Sequence, residues 1–397
     1  PEKAACPLFL FLLALPAFAG SRARYGGTLQ VAVAGRPAEA EGLYADTPAE
    51  ATLLALTSRG LCSTPFSFTR TGPLAARIEV PPPLKAQDVA AALERVRREP
   101  SAYRGLLRPI AQISAAGAAV ELKLAWPWPD LESALCHPAL ALRGVGPFKL
   151  GAAPGHYAAD PTFAGGRPYL DELVVTSTDE RGAERLFSQR KAQLAMGYVA
   201  KAEPQKVSMP FATALLFTSS LPPTFRAAVE SSIDRGDLVR FFVRPPAAPL
   251  ALLAPAAQQP KPAPLQPVRE VSLLYDASLD DQRAVAARLQ VRLSPLGYRV
   301  ALKPLPRREL RERWARGDFE LMLFSTLLPP RPANALLVAL EAARAPQLVQ
   351  KHLPALGAIA DEAARDEKAR ELLATLAPTV DALPLYVQGL ALNVASG

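Results

Sequence analysis

Histidine, cysteine, methionine and tryptophan are each present only three times in 397 residues, and each scarcity excludes something. The histidines, His137, His156 and His352, are scattered. None stands at metal-ligand spacing or beside a serine or cysteine elbow, so no metal site and no catalytic residue is expected. Carboxylates fall mainly in helix-face patterns such as Asp361, Glu362, Asp366 and Glu367, the habit of a solvated face. Gly144-Val145-Gly146 runs through Pro147 into a strand, not a helix N-terminus, so it is no phosphate cradle. Basic residues exceed acidic ones, 45 to 37, yet no basic cluster is interleaved with aromatics. Nucleic acid is therefore not an expected partner. No cofactor is expected, and an enzyme is the poorest reading.

A membrane-spanning run is missing too. The one strongly apolar stretch, Leu8 to Leu15, is too short to cross a bilayer. With Lys3 before it and Ala17-Phe18-Ala19 after it, residues 1–19 read as a secretory signal peptide. Cys6 precedes the apolar run, which argues against a lipid anchor. The expectation is an exported, periplasmic protein; the alternative is anchoring by an uncleaved signal. After cleavage Cys62 and Cys136 remain, and in an oxidising compartment they either pair or stay as two buried thiols.

What is present is length for two or three domains, half of it hydrophobic, and 41 prolines gathered in connecting stretches. Leu29, Val31 and Val33 alternate as in a half-buried strand. Leu53, Leu54 and Leu56 mark a helix from Ala49 to Ser58. Val89, Ala92, Leu93 and Val96 fall on one face of another, opened by Lys85, which offers no side-chain cap. Val120, Leu122 and Leu124 alternate. From Pro65 to Leu84 only Ala76 to Val80 reads as a strand, stopped by three prolines. Arg244 to Pro267 is aperiodic and rich in proline and alanine, a surface connection. Val271–Tyr275, a helix ending at Gly297, Tyr298–Leu302, a helix ending at Gly317, and Phe319–Phe324 then give strand–helix–strand–helix–strand, with parallel pairing. Ligands of such lobes gather at the carboxyl ends of the strands, which places Ser325 and Thr326 at a cleft.

One stretch, Arg143 to Tyr198, carries a specific resemblance. Gly144-Val145-Gly146-Pro147-Phe148 is followed by Asp160-Pro161-Thr162-Phe163 and by Gly165-Gly166-Arg167-Pro168-Tyr169-Leu170-Asp171-Glu172. Strand Leu173–Thr176, a helix from about Thr178 to Arg190, and strand Leu194–Met196 complete it. This resembles the family 5 extracellular solute-binding proteins, the peptide- and nickel-type receptors of ABC importers, with G-T-G-P-Y/F and G-G-x-P-Y-L-D-E runs. Ile233-Asp234-Arg235 behind an amphipathic helix, and Ala377-Pro378 with Leu383-Pro384-Leu385-Tyr386, resemble later parts of that family. Arg190 stands where the family has glycine at a helix stop, implying a remodelled turn.

The resemblance implies an α/β, two-lobed periplasmic-binding-protein-like fold of type II, with mixed sheets flanked by helices and a hinge between lobes. Residues 25–44, 140–217 and 378–397 would form lobe one, with 45–139 a small, reduced subdomain on its side. Residues 218–377 would form lobe two, with its core at 271–324 and the connection at 244–267. Phe211 to Thr218 resembles the segment that crosses between lobes. The implied function is capture of a small solute, peptide-like or another organic ligand, and its delivery to an ABC permease by a monomer. The alternative is a degenerate member without transport, acting as a periplasmic interaction protein, whose mark would be a cleft filled by apolar side chains.

The candidate ligand contacts are Tyr44, Trp126, Trp128, Phe217, Thr218, Ser325, Thr326 and Arg331. The tryptophans either stack on ligand or pack at the lobe edge. Arg331 either meets a ligand carboxylate or phosphate or lies exposed on a turn. The resemblance implies that a peptide's free amine would be held by an Asp soon after the strand ending at Phe324; between Ser325 and Leu340 there is no Asp or Glu, so zwitterionic peptides are expected to bind weakly or not at all.

Overall fold

A computed structural model describes residues 25–34, 47–197, 205–250 and 269–395. The expected signal peptide, Tyr44 and most of the Pro-rich connection lie outside these residues.

Strand β1 (Thr28–Ala34) is set between β10 (Glu172–Thr178) and β11 (Leu194–Met196), parallel to both. Val31 and Val33 face helix α1 (Pro48–Thr57) in one small core. Ala32 meets Ala183 of α4 (Glu180–Ser188) in another. The strand is thus buried on both faces; alternation alone suggested one, because alanine does not announce a core position. Antiparallel β9 (His156–Ala159) and β8 (Phe148–Leu150) extend this edge. Helix α4 ends where Arg190 takes a left-handed conformation, φ 56°. The turn is therefore kept rather than remodelled, with arginine in a glycine's place at a cost of about 1 kcal/mol. Arg190→Gly is expected to raise the unfolding free energy by about 0.5–1 kcal/mol, read from urea denaturation.

At the other end, β14 (Arg269–Asp276), α7 (Asp280–Leu293), β15 (Tyr298–Leu305), α8 (Arg307–Arg316) and β16 (Leu321–Leu327) form the expected parallel unit, in the order β15–β14–β16. Gly317, at φ 74°, stops α8. Two strands of 13 residues join the halves. These are β12 (Gln205–Phe217) and β17 (Ala382–Val394), antiparallel to each other. β16 pairs with β12, and β17 pairs with β11, so one sheet of eleven strands passes through both lobes. β13 (Ala247–Pro249), inside the stretch read as a connection, pairs with β17. Helices α5 (Pro223–Ser232) and α6 (Arg235–Phe242) follow β12.

A separate sheet carries β3 (Ser67–Gly72), β4 (Ala75–Glu79), β6 (Ala119–Leu124) and β5 (Ile110–Ala116), in the order β3–β4–β6–β5. So 65–84 holds a hairpin, not a single strand. β3 is an edge strand with mostly exposed side chains, and its partner lends it the pairing that its own pattern does not signal. Helix α2 (Ala86–Arg98) buries Val89, Leu93 and Val96 against this sheet, with Lys85 giving no side-chain cap. The two-residue strands β2 (Ser58–Arg59) and β7 (Leu142–Arg143) pair with one another. Cys62 and Cys136 are joined in a disulfide, Cα atoms 5.1 Å apart, tying the chain after β2 to the end of α3 (Leu131–Leu135).

Helix α9 (Pro332–Ala342) is buried nearly all round, as its apolar sequence dictates. It joins α10 (Pro346–Gly357) and α11 (Glu362–Leu376) in one continuous core with residues of 51–142: Tyr103, Leu106 and Trp128 pack with Leu336, Leu337 and Leu353. The approach is backbone to backbone, since a Cβ on Gly105 would stand 2.6 Å from the Leu337 carbonyl oxygen. Glu341, fully buried, accepts from Arg104 Nε at 2.5 Å and Arg108 Nε at 3.0 Å across this seam.

Candidate functional site

The carboxyl ends of β14 and β16 meet at a cavity of about 20 Å³ lined by both polar and apolar side chains. Asp276 ends β14. Its Oδ1 accepts from Ser278 N at 2.8 Å and Ser278 Oγ at 2.6 Å, which turns the chain toward α7. From α7, Gln282 accepts from Asp276 N and donates to Ser325 Oγ at 2.8 Å. Ser325 shares a 2.8 Å hydrogen bond with Thr213 of β12. Thr213 is in turn bonded to Tyr386 of β17, whose phenol is pushed up by complete burial. A hydrogen-bonded row thus runs from the cavity wall into both crossing strands.

The cationic side of the cavity comes from α8. Arg307 donates from Nε to Asp276 Oδ2 at 2.8 Å and from Nη1 to Glu50 Oε1 at 2.8 Å. Glu50 stands in the first turn of α1, where it also closes a capping box with Thr47. Arg307 therefore bridges two regions of the chain that the sheet alone does not bring together. Arg311, one turn on, separates this cavity from a second of about 10 Å³ bordered by Ser101, Tyr103 and Thr326. Each has room for about one water molecule.

Of the sequence-predicted contacts, the structure brings Ser325 and Thr326 to these cavities. Tyr44 lies outside the described residues, and the other candidates lie elsewhere. Trp128 is wholly buried, its indole N–H donating to Asn334 Oδ1 at 2.9 Å. Trp126 is half-buried on the same core. Phe217 is buried edge-on to Phe225, and Thr218 is half-buried with its N–H on the Glu320 carbonyl. Arg331 is half-buried rather than exposed on a turn, and it pairs with Glu362, with Asp366 at 3.1 Å and with Asp130 at 3.3 Å. Sequence reading missed Asp276, Gln282, Arg307 and Arg311. The signal was available, because the carboxyl-end rule applies equally to β14, which ends on Asp276, and to the turn after β15, which leads into Arg307.

His137 lies at the seam as well. Its Nδ1 accepts from Ala139 N at 3.2 Å, so Nε2 carries the proton and donates to the Leu327 carbonyl at 3.1 Å. Tyr103, its ring tilted against the imidazole with centroids 4.8 Å apart, accepts from Leu327 N at 2.9 Å. Burial lowers the imidazole pKa to about 4. Among the described residues no group of three His, Cys, Asp or Glu side chains could hold a metal ion, and no helix is long and apolar enough to cross a membrane.

No family model and no curated protein matches the chain. Solved structures do. The PBP AgaA of A. tumefaciens R10, in complex with agropinic acid, matches at 17% identity with a TM-score of 0.71, over 92% of each chain. The ABC transporter-associated periplasmic binding protein DppA of Helicobacter pylori, in complex with the peptide STSA, matches at 14% identity and a TM-score of 0.72, over 94% of each chain. The murein tripeptide binding protein MppA of Escherichia coli matches at 14% identity and 0.71, over 92% of this chain and 93% of its own.

Proposed function

We propose that this chain, which has the two-lobed fold of the solute-binding proteins of ABC importers, is itself an exported receptor for a small polar solute. The observation that carries this reading is the convergence of Asp276, Gln282, Arg307, Arg311 and Ser325 where the fold gathers ligands. The solute would enter between the lobes when they part about β12 and β17, and a monomer would deliver it to a permease. On this reading the cavity of about 20 Å³ would belong to a closed state, with room for about one water and none for a peptide. A thermal-shift screen of the chain after Ala19, against peptides, sugars, small anions and metal ions, tests it. A solute at a hundred times its dissociation constant stabilises by about 2.7 kcal/mol. A cooperative melt that no solute moves would overturn the receptor.

A second reading has its own support. The core shared by 51–142 and the α9–α11 layer, with Gly105 against the Leu337 backbone, is the filled apolar seam expected of a degenerate, non-transporting member. Small-angle scattering separates the two: a receptor contracts on binding, while a locked chain keeps one radius of gyration with every solute.

A further inference from the structure

We infer that the Cys62–Cys136 disulfide is a redox switch that acts through His137 on the end of β16, the strand that carries Ser325 and Thr326 to the cavities. What it does to a solute rests on the receptor reading. Three observations carry it. The two cysteines stand 74 residues apart in sequence, and the loop their bond closes holds β3 to β6, α2 and Tyr103. Cys136 is exposed and Cys62 half-buried, so a thiol reagent meets the bond from solvent. The residue after Cys136 is His137, buried, which donates from Nε2 to the Leu327 carbonyl, while Tyr103 accepts from Leu327 N. Leu327 ends β16. Its two backbone groups are thus bonded to one residue inside the disulfide loop and to one just beyond it.

Around His137 the chain runs through turns. Cys136 N reaches back to the Glu132 and Ser133 carbonyls at 3.2 and 3.3 Å, and Leu140 N to the His137 carbonyl at 2.9 Å. Such bonds travel with the segment and do not hold it against β16. The packing of α3, the Leu61 N–H on the Leu135 carbonyl at 3.0 Å and the disulfide hold it from outside. Cutting the disulfide returns conformational freedom to the loop and lets the turns after α3 open locally. Water then reaches His137, and the Leu327 carbonyl loses its donor beside Thr326. Closure is thiol–disulfide exchange. One cysteine thiolate attacks an oxidant's disulfide, the second cysteine displaces the mixed disulfide, and the oxidant leaves as a dithiol carrying the two electrons and two protons. A dithiol reductant runs the same steps backwards. A reducing compartment therefore keeps this end of β16 loose, and an oxidising one sets it.

NMR of the full chain reads the switch directly, because it has three histidines and His137→Gln assigns the signal that matters. In Cys62→Ala/Cys136→Ala, folded by circular dichroism, the proton affinity of His137 is expected to rise about tenfold or more over the parent. Hydrogen exchange at the Leu327 amide is expected to quicken by about the same factor, while Val31 and Val175 in lobe one keep theirs. A lower melting temperature with both readouts unchanged would mean a structural staple and would overturn the inference. The effect must also pass through His137. In His137→Gln, dithiothreitol should add little to exchange at Leu327, and an increment as large as the parent's would overturn it. If the double variant does not fold, the parent chain reduced by dithiothreitol in concentrated sucrose decides, since sucrose favours compact states. A chain that folds in neither form overturns the inference, the bond then being a staple of the whole fold. These readouts use no solute, so a silent solute screen removes the receptor alone. A solute from that screen that stabilises oxidised and reduced chains equally would keep the receptor and overturn the switch.

Discussion

Trp128→Ala is expected to lower the unfolding free energy by about 4 kcal/mol. The indole is fully buried where the Trp126–Asp130 loop meets α9 and α10. Its N–H satisfies Asn334 Oδ1, while Asn334 Nδ2 donates to the Asp130 carbonyl at 3.0 Å. Truncation therefore opens a cavity and also strands a buried amide oxygen, two penalties that add at one site. The neighbourhood cannot collapse to refill the space. Gly357 of α10 already packs its Cα against the Pro127 carbonyl and the indole, and Asp130 is held by Arg365 through two hydrogen bonds of 2.9 Å. Urea denaturation monitored by far-UV circular dichroism and by Trp fluorescence tests this. Because the core is continuous, both probes should report one coincident transition before and after substitution. A loss under about 1.5 kcal/mol, or a separate early transition for 47–142, would show that the seam is not the shared core described above.

The second large effect is a loss of stability in mild acid, traced to His137. Folding holds its imidazole neutral down to about pH 4, against an ordinary value of 6.5. Burial is the larger cause; the Leu327 carbonyl, which holds the Nε2 proton, works the other way. Above pH 6.5 both folded and unfolded chains carry neutral imidazole, and the group costs nothing. Between pH 6.5 and 4 the unfolded chain takes up a proton that the folded chain refuses, so stability falls as pH falls, by about 3 kcal/mol in all. Protonation at Nδ1 would also forfeit the hydrogen bond from Ala139 N. The expected result is a steeper decline for the parent chain than for His137→Gln over that interval, with parallel curves above pH 7. Parallel curves throughout would exclude His137 as the source.

Much of this architecture is written in periodicity. The unit from Arg269 to Leu327 declares itself because β14 and β16 carry apolar runs, β15 alternates, and each helix is followed by a glycine that can turn left-handed. β17 was readable by resemblance, and its return to β11 follows. β3 was not readable, because Thr69, Arg70 and Thr71 give a strand no apolar face. The site was half legible. Position along a strand located Ser325 and Thr326, but burial is a property of neighbours. Trp126 and Trp128 look alike in sequence, and only the arrival of α9 and α10 submerges one of them entirely. Arg331 looked like a lone charge because Asp130, Glu362 and Asp366 are distant in the chain. Glu50 looked like a helix cap, which it is, while its second partner sits on α8.

The neighbours of β11 have a consequence for how the protein folds. β11 lies between β1 (Thr28–Ala34) and β17 (Ala382–Val394), strands drawn from far apart in the chain. This part of the sheet therefore cannot close through local contacts, however early β1 and β11 become available. Contacts of such long sequence separation form slowly. The edge of β11 that β17 covers stays unpaired until that late meeting, so this edge is where a partly folded chain is most open to pairing with the wrong strand.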